Sequence, residues 1–540
     1  MKRKWLIMIA LVVCAVGAGF YIQFGLLAAS TASIIVVGAG PSGVAASIQA
    51  ARMGQRVVLL EETDWIGGQL TAAGVGTLDE GSTAGRQSGI YKELIQKARQ
   101  FYASHNKSLG TCYYDTNALC IDPKDGQAIL RDMLQSVGVK VVLDTKIASV
   151  IKHDSRITGA VTDDGKTYTA KIVIDASEYG DTIAKSGAVY RIGASTSEQK
   201  NKKDCVQQIT YPAIIKKYPQ GVRSELQVKT KPEGYDDARA HFAAIVTSDG
   251  ADYFKQQRHP VDFASFTAYR GLPDISNPKN YTAKQNDGRD ITRTTINSPN
   301  DYPIKLPLGI DYIENPAYRA KTNCLAKLLT VQFIYYLQHD LGKKDWSVAD
   351  DEGYDTPYNR AHHCPQLDGY EAIERNMPQE PYVRESRRII GVETLTSDDM
   401  QRPRSAKDFA NSIAVGYYPM DLHGCSAPDD LESDLDPPQN AIKTSTQSTF
   451  LGGGAGPFEV PIGALIPRDI NGLLAAEKNI SVSRLAGGAI RLQPIAMNVG
   501  QAAGALAAIA VKKDIAPRNV SAQDVRAALQ QAGAIVDMPQ

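Results

Sequence analysis

Gly38, Gly40 and Gly43 stand in the spacing G-x-G-x-x-G, and Glu61 follows Gly43 by eighteen residues. That set suits the grip of a dinucleotide. Gly38 allows a tight turn, Gly40 lets backbone approach a pyrophosphate, and Gly43 lets a helix pack on a strand. A carboxylate at the distance of Glu61 accepts hydrogen bonds from an unphosphorylated ribose. The chemistry needs three elements in order, and the sequence supplies them. Ile34-Ile35-Val36-Val37 reads as a buried strand, Val44 to Met53 as a small-residue helix, and Arg56 to Leu60 as a second strand. The helix N-terminus then offers free N–H groups and the positive end of its dipole to the phosphates.

The rest of the 540-residue chain has room for about two or three domains, and its 43% hydrophobic content supports large cores. Lys+Arg and Asp+Glu are both 59, so no net field attracts nucleic acid or acidic partners. Lys2-Arg3-Lys4 precede an uncharged run from Trp5 to Ala29, and the next basic residue is Arg52. At roughly 1.5 Å per residue that run can span a bilayer. It reads as a membrane anchor with the body outside the cytoplasm, or as a cleaved signal peptide. Six cysteines lie beyond this run, and Cys112 and Cys120 flank a short loop that an oxidising compartment would allow them to close. No C-x-x-C occurs. His362-His363-Cys364 lacks further ligands at regular spacing, so no metal is expected.

Along the chain, residues 86 to 104 and Gly126 to Val137 carry apolar positions at helical spacing. Val139 to Leu143, Ile147 to Ile151, Ile157 to Thr162 and Thr167 to Ile174 read as consecutive strands, with a hairpin turn at Asp164-Gly165. Between about 186 and 440 the pattern mixes short strands, proline-rich loops and one clear helix, Ala317 to Gln338. Near the end, Gly472 to Ala476 reads as a buried strand and Gly500 to Ala508 as a small-residue helix. The chain therefore returns to its first domain.

One dinucleotide motif, a strand meander and a returning helix resemble the bacterial FAD-dependent oxidoreductases related to glutathione-reductase-type flavoproteins, some of which carry a "xanthan lyase" label. The resemblance rests on Leu60 to Thr71, Asp175 to Asp181, Pro381 to Arg388, Pro457 to Pro467 and Arg491 to Ala508. It implies an α/β fold in which a discontinuous Rossmann-like FAD-binding domain accepts an inserted mixed α+β substrate domain. The implied bounds are 1–30 for the N-terminal hydrophobic helix, 31–185 and 441–515 for the FAD domain, 186–440 for the insert and 516–540 for a tail. Gly38, Gly40 and Gly43 then meet the FAD pyrophosphate and Glu61 the adenosine ribose. Gly68 and Gln69 approach the ribityl chain and ring, and Asp175-Ala176 the adenine half. Glu477 stands where relatives place an aspartate. Gly500 belongs to a helix expected to begin near Asn498 and to aim its positive end at the flavin.

FAD supplies the redox step, and a hydride donor also needs its proton removed. His423, beside Asp421, is the candidate base; Arg384 is a candidate substrate clamp and Arg491 a candidate charge stabiliser. The expectation is an exported dehydrogenase or oxidase acting on a small organic molecule and reoxidised by quinone, oxygen or another carrier. The alternatives are an electron-transfer subunit and a carbohydrate-active protein with redox-neutral FAD.

Overall fold

The computed structural model describes residues 30–107, 109–111, 119–246, 263–274, 291–297, 299–305, 307–400, 409–425, 431–436, 448–450 and 457–538. The apolar N-terminal run and Cys112 lie outside the described residues.

The apolar tetrapeptide forms β1 (Ile34–Val37), which leads through the glycine turn into α1 (Pro41–Arg52) and β2 (Val57–Leu60). Pro41 at the first helical turn presets φ and lacks only an N–H that the helix leaves unpaired. Two amphipathic helices follow, α2 (Gly89–Ser104) and α3 (Pro123–Ser136), and Asp122 caps the second by accepting from the Lys124 N–H at 3.3 Å. The chain continues through β3 (Lys140–Val142), β4 (Ile147–His153), β5 (Arg156–Thr162), β6 (Thr167–Thr169) and β7 (Ile172–Asp175).

The run from Thr167 to Ile174 is thus two strands and not one. β6 pairs antiparallel with β5 in the meander, whereas β7 lies parallel between β1 and a late strand. The break serves two sheets whose outer faces differ. β7 is buried at every position and β4 is largely exposed. In the inserted region, β8 (Ala213–Lys217) is flanked by β9 (Arg293–Ile296) and β10 (Trp346–Val348), both antiparallel to it. α4 (Pro316–His339) packs Phe333 edge-on against Phe242, with ring centroids 5.2 Å apart.

The chain then returns with β11 (Leu473–Ala475) and α5 (Gln493–Lys513). The central sheet runs β11-β7-β1-β2-β3, all parallel, with Ile34 in register with Ile172 and Val57. Strands buried on both faces read as continuous apolar runs, and each fully buried Val, Leu or Ile contributes about 1.5–3 kcal/mol relative to exposure. α5 is long and apolar enough to cross a membrane, yet it is buried in the core. It crosses α1 at backbone contact: a Cβ on Gly500 would stand 2.0 Å from the Ser42 carbonyl, and one on Gly504 2.3 Å from that of Ala46.

Candidate cofactor and redox site

The glycine turn is built as its spacing demands. Gly38 has φ +92°, and a Cβ there would meet the Ala176 carbonyl at 2.4 Å. A Cβ on Gly43 would come within 1.8 Å of the Gly38 carbonyl, so strand and helix touch backbone to backbone. Gly40 is different. A Cβ there would meet nothing within 4 Å except a Glu477 carboxylate oxygen at 3.8 Å. The fold itself leaves room for a side chain at Gly40, which lines a cavity.

Glu61, at the end of β2, turns back over this loop. One oxygen accepts from the Ala39 N–H at 2.6 Å, and the other from the Thr63 N–H and hydroxyl, both at 2.9 Å. Burial pushes its carboxyl up to about 7, against the pull of those N–H groups. A cavity of about 470 Å³ opens beside it, lined by Gly38, Gly40, Glu61, Gly68 and Ala176. Close by, Gly67 N–H donates to the Ala39 carbonyl at 2.7 Å, and Gln69 Oε1 is buried without a protein partner. A cradle that a side chain at Gly40 would fill, a helix N-terminus, an acid at ribose distance and an unpaired amide oxygen fit FAD. Gly38, Gly40 and the start of α1 would hold the pyrophosphate and Glu61 the ribose.

Other expected ligands take other parts. Asp175 is fully buried and does not line the cavity. Its oxygens accept from Ser177 N–H (2.9 Å), Ser177 Oγ (2.6 Å) and Ile183 N–H (2.8 Å), so it fastens the loop after β7. Gly500 lies two turns inside α5, which begins at Gln493, and serves the crossing with α1. The end of α5 that can face a flavin is Gln493 to Ile495. Glu477 adopts φ +56° and accepts from the Ser42 N–H at 3.2 Å and Gln69 Nε2 at 3.2 Å. Burial pushes it up to about 7 although Lys478 pulls it down.

Gln69 leads onward, because the same Nε2 donates to the Arg491 carbonyl at 2.8 Å. The three candidate catalytic residues meet in one network, with Arg384 and Arg491 buried and His423 half-buried. Arg384 Nη2 reaches Asp301 Oδ1 at 3.1 Å, and Asp301 Oδ2 faces His423 Nδ1 at 2.8 Å. His423 Nε2 faces Asp421 Oδ2 at 3.1 Å, to which Arg491 Nη2 donates at 2.8 Å. Arg491 Nη1 also donates to the Tyr382 hydroxyl, and the Arg384 guanidinium sits 4.9 Å from the Tyr382 ring centre. Burial alone would raise Asp301 and Asp421. The neighbouring cations, Arg384 and His423 for the first and His423 and Arg491 for the second, hold both below the usual carboxylate range.

This arrangement alters the expected role of His423. Each ring nitrogen already faces a carboxylate, Asp301 at Nδ1 and Asp421 at Nε2, so neither is left open toward a substrate. Arg384, the candidate substrate clamp, is occupied inside the protein, donating to the Gln208 carbonyl at 2.8 Å and Thr210 Oγ1 at 2.9 Å besides Asp301. Asp301 and Tyr382 belong to the network, and sequence reasoning passed over both. Asp301 had no motif around it; Tyr382 lay in the Pro381 to Arg388 block. None of the three candidate catalytic residues lines the 470 Å³ cavity. Gly68 and Pro381, the chain neighbours of Gln69 and Tyr382, do line it.

The cysteines pair over long distances. Cys205 joins Cys425, and Cys324 joins Cys364. Cys120 is disulfide-bonded, while Cys112 lies outside the described residues. With Cys364 in a disulfide, His362-His363-Cys364 presents no thiolate.

The profile of one family, FAD dependent oxidoreductase, matches residues 33–529. Sarcosine oxidase subunit alpha of Corynebacterium sp. (strain U-96) is 30% identical over 118 residues, which are 20% of this chain and 12% of that protein. Thiamine thiazole synthase of Pyrococcus horikoshii is 26% identical over 192 residues, 31% of this chain and 69% of that protein. Among solved structures, L-proline dehydrogenase from P. horikoshii covers 36% of this chain and 62% of its own, at 14% identity and TM-score 0.26. Glycine oxidase from Geobacillus kaustophilus covers 35% of this chain and 64% of its own, at 14% identity and TM-score 0.23. The sarcosine oxidase match spans only a small part of that relative. The family match covers nearly all of the described chain, the cradle fits the cofactor, and the chain belongs to the FAD-dependent oxidoreductase family.

Proposed function

We propose that this protein is an exported FAD-dependent dehydrogenase or oxidase that takes hydride from a small organic substrate. The observation that carries the reading is the continuity from cradle to network. Gly68 lines the cofactor cavity, Gln69 beside it holds Glu477 and the Arg491 carbonyl, and Arg491 opens onto Asp421, His423, Asp301 and Arg384. FAD, when bound, supplies a two-electron acceptor whose N5 receives the hydride. The protein's part is position and field. Arg384 and Arg491 bring two fixed guanidinium groups to either side of His423 through Asp301 and Asp421. Such preorganised donors steady negative charge on a neighbouring group and favour a substrate with an acidic function. Tyr382, whose hydroxyl accepts from Arg491, presents an O–H at the same place, and its proton can be passed to or taken from a bound molecule.

Export is part of this reading. Its support is the uncharged run after Lys4 together with disulfides suited to an oxidising compartment. An anchored body would lie near membrane quinone, one of three proposed oxidants beside oxygen and a soluble carrier. The test is anaerobic titration of the flavin-loaded protein with candidate small organic acids while the flavin absorbance is followed. Direct bleaching supports the reading. Bleaching only with a second protein present favours an electron-transfer subunit, and turnover without bleaching favours redox-neutral FAD. A C-terminal reporter active only beyond the inner membrane supports export, and cytoplasmic reporter activity contradicts it.

A further inference from the structure

The cofactor cavity has a floor and a roof from different parts of the chain. The floor is the glycine turn, Glu61 and the loop after β7. The roof is one face of α4, with Arg319, Asn323, Cys324 and Lys327 at helical spacing, joined by Tyr358 and the segment 361–364. Arg319 ties roof to floor: its guanidinium lies 3.6 Å from the centre of the Tyr179 ring, with Nη1 3.6 Å from Asp181. The two parts of the roof are tied to each other by the Cys324–Cys364 disulfide, whose Cα atoms are 5.4 Å apart. Both cysteines line the cavity, Cys324 half-buried and Cys364 buried. Without the bond, the tie nearest to it is the buried Lys327–Glu374 pair at 3.1 Å, with Glu374 also accepting from the Cys364 N–H at 3.0 Å.

We propose that the Cys324–Cys364 disulfide is a clasp on the cofactor, so that the dithiol form admits and exchanges FAD and the disulfide form retains it. Closing the clasp transfers two electrons and two protons from the two thiols to a disulfide oxidant, which leaves as a dithiol. Opening it is the reverse exchange with a dithiol reductant. A covalent tie raises the cost of the local opening through which a roofed ligand must leave. The device suits an exported flavoprotein, because a flavin lost outside the cytoplasm meets no pool from which to be replaced. The clasp rests on FAD occupying this cavity.

The test uses flavin-loaded full-length protein. FAD release is followed by fluorescence on dilution, before and after a dithiol reductant, with alkylation and mass mapping to show which cysteines are reduced. The expected result is release faster by about tenfold or more when Cys324 and Cys364 are reduced. A double variant, Cys324→Ser with Cys364→Ser, should release at that faster rate with or without reductant. If the variant does not fold, the wild-type mapping decides. Release should then follow alkylation at Cys324 and Cys364 and not at Cys205 and Cys425. Unchanged release with both roof cysteines reduced overturns the clasp, as does a double variant that releases FAD at the slow rate of the oxidised wild type until reductant is added. A chain that takes up no FAD overturns the cofactor reading and the clasp with it, whereas a flavin-loaded chain with unchanged release overturns the clasp alone.

Discussion

The glycine cradle and the arginine–histidine network lie on either side of Gly68 and Gln69, and they are built on opposite principles. The cradle is made of backbone. Its specificity comes from absent side chains at Gly38, Gly40 and Gly43, and its acids, Glu61 and Glu477, are pushed by burial up to about 7. The network is made of long side chains gathered from distant segments. Its acids, Asp301 and Asp421, are held low by the cations beside them. The cradle's acids are met by backbone and neutral donors, Glu61 by Ala39 and Thr63 and Glu477 by Ser42 and Gln69, whereas the network's acids are met by arginine and histidine.

The largest effect should separate two glycines three residues apart. Gly43→Ala places a Cβ 1.8 Å from a carbonyl and should cost upward of about 3 kcal/mol, visible as a collapsed thermal unfolding temperature. Gly40→Val should spare the fold and weaken FAD binding at least a hundredfold, about 2.7 kcal/mol. Equal stability losses at both would erase the distinction between a packing glycine and a ligand glycine.

Asp301→Ala should come next, because it leaves the buried Arg384 guanidinium without its carboxylate and removes the Nδ1 partner of half-buried His423. We expect about 3–5 kcal/mol of lost stability in denaturant unfolding, with FAD content retained in the folded fraction. Loss of flavin from well-folded Asp301→Ala would join the two regions into one. Arg491→Gln should slow reduction of bound flavin by about ten- to a hundredfold in stopped-flow measurements while leaving FAD affinity within about threefold. A weakened affinity with unchanged reduction would move Arg491 into the cradle.

The smallest effect is a pH dependence of opposite sign. Glu61 and Glu477 hold protons more tightly when folded, so between the ordinary value of 4.5 and about 7 their contribution to the stability of the FAD-free protein falls as pH rises. Asp301 and Asp421 contribute stability that is full above 3.8 and lost as pH falls below it. Urea midpoints of Glu61→Gln should therefore flatten the neutral side of the profile, and those of Asp301→Asn the acid side. Both variants flattening the same side would contradict the assigned directions.

Local chemistry was legible in the sequence, and long-range pairing was not. The turn from Gly38 to Gly43 and the acid at Glu61 follow from spacing within one βαβ unit, which is why they could be read directly. The start of α5 was placed five residues late at Asn498, although Pro494 in the first turn is a start signal that could have found Gln493. The division of Thr167 to Ile174 between two sheets has no turn residue to mark it; Ala170-Lys171 simply changes partners. His423, Arg384 and Arg491 were singled out one by one. Their meeting depends on Asp301, 122 residues from His423, and no periodicity announces a contact at that range. The Cys205–Cys425 bond, 220 residues apart in sequence, was hidden for the same reason.

The most direct measurement is the visible absorbance of wild type and Gly40→Val, each reconstituted with excess FAD and desalted, beside their far-ultraviolet circular dichroism. A yellow wild type with a full complement of flavin and a colourless Gly40→Val with the same secondary structure are expected. A folded Gly40→Val that keeps its colour, or a folded wild type that takes up no FAD, would contradict the assignment of the cradle to FAD.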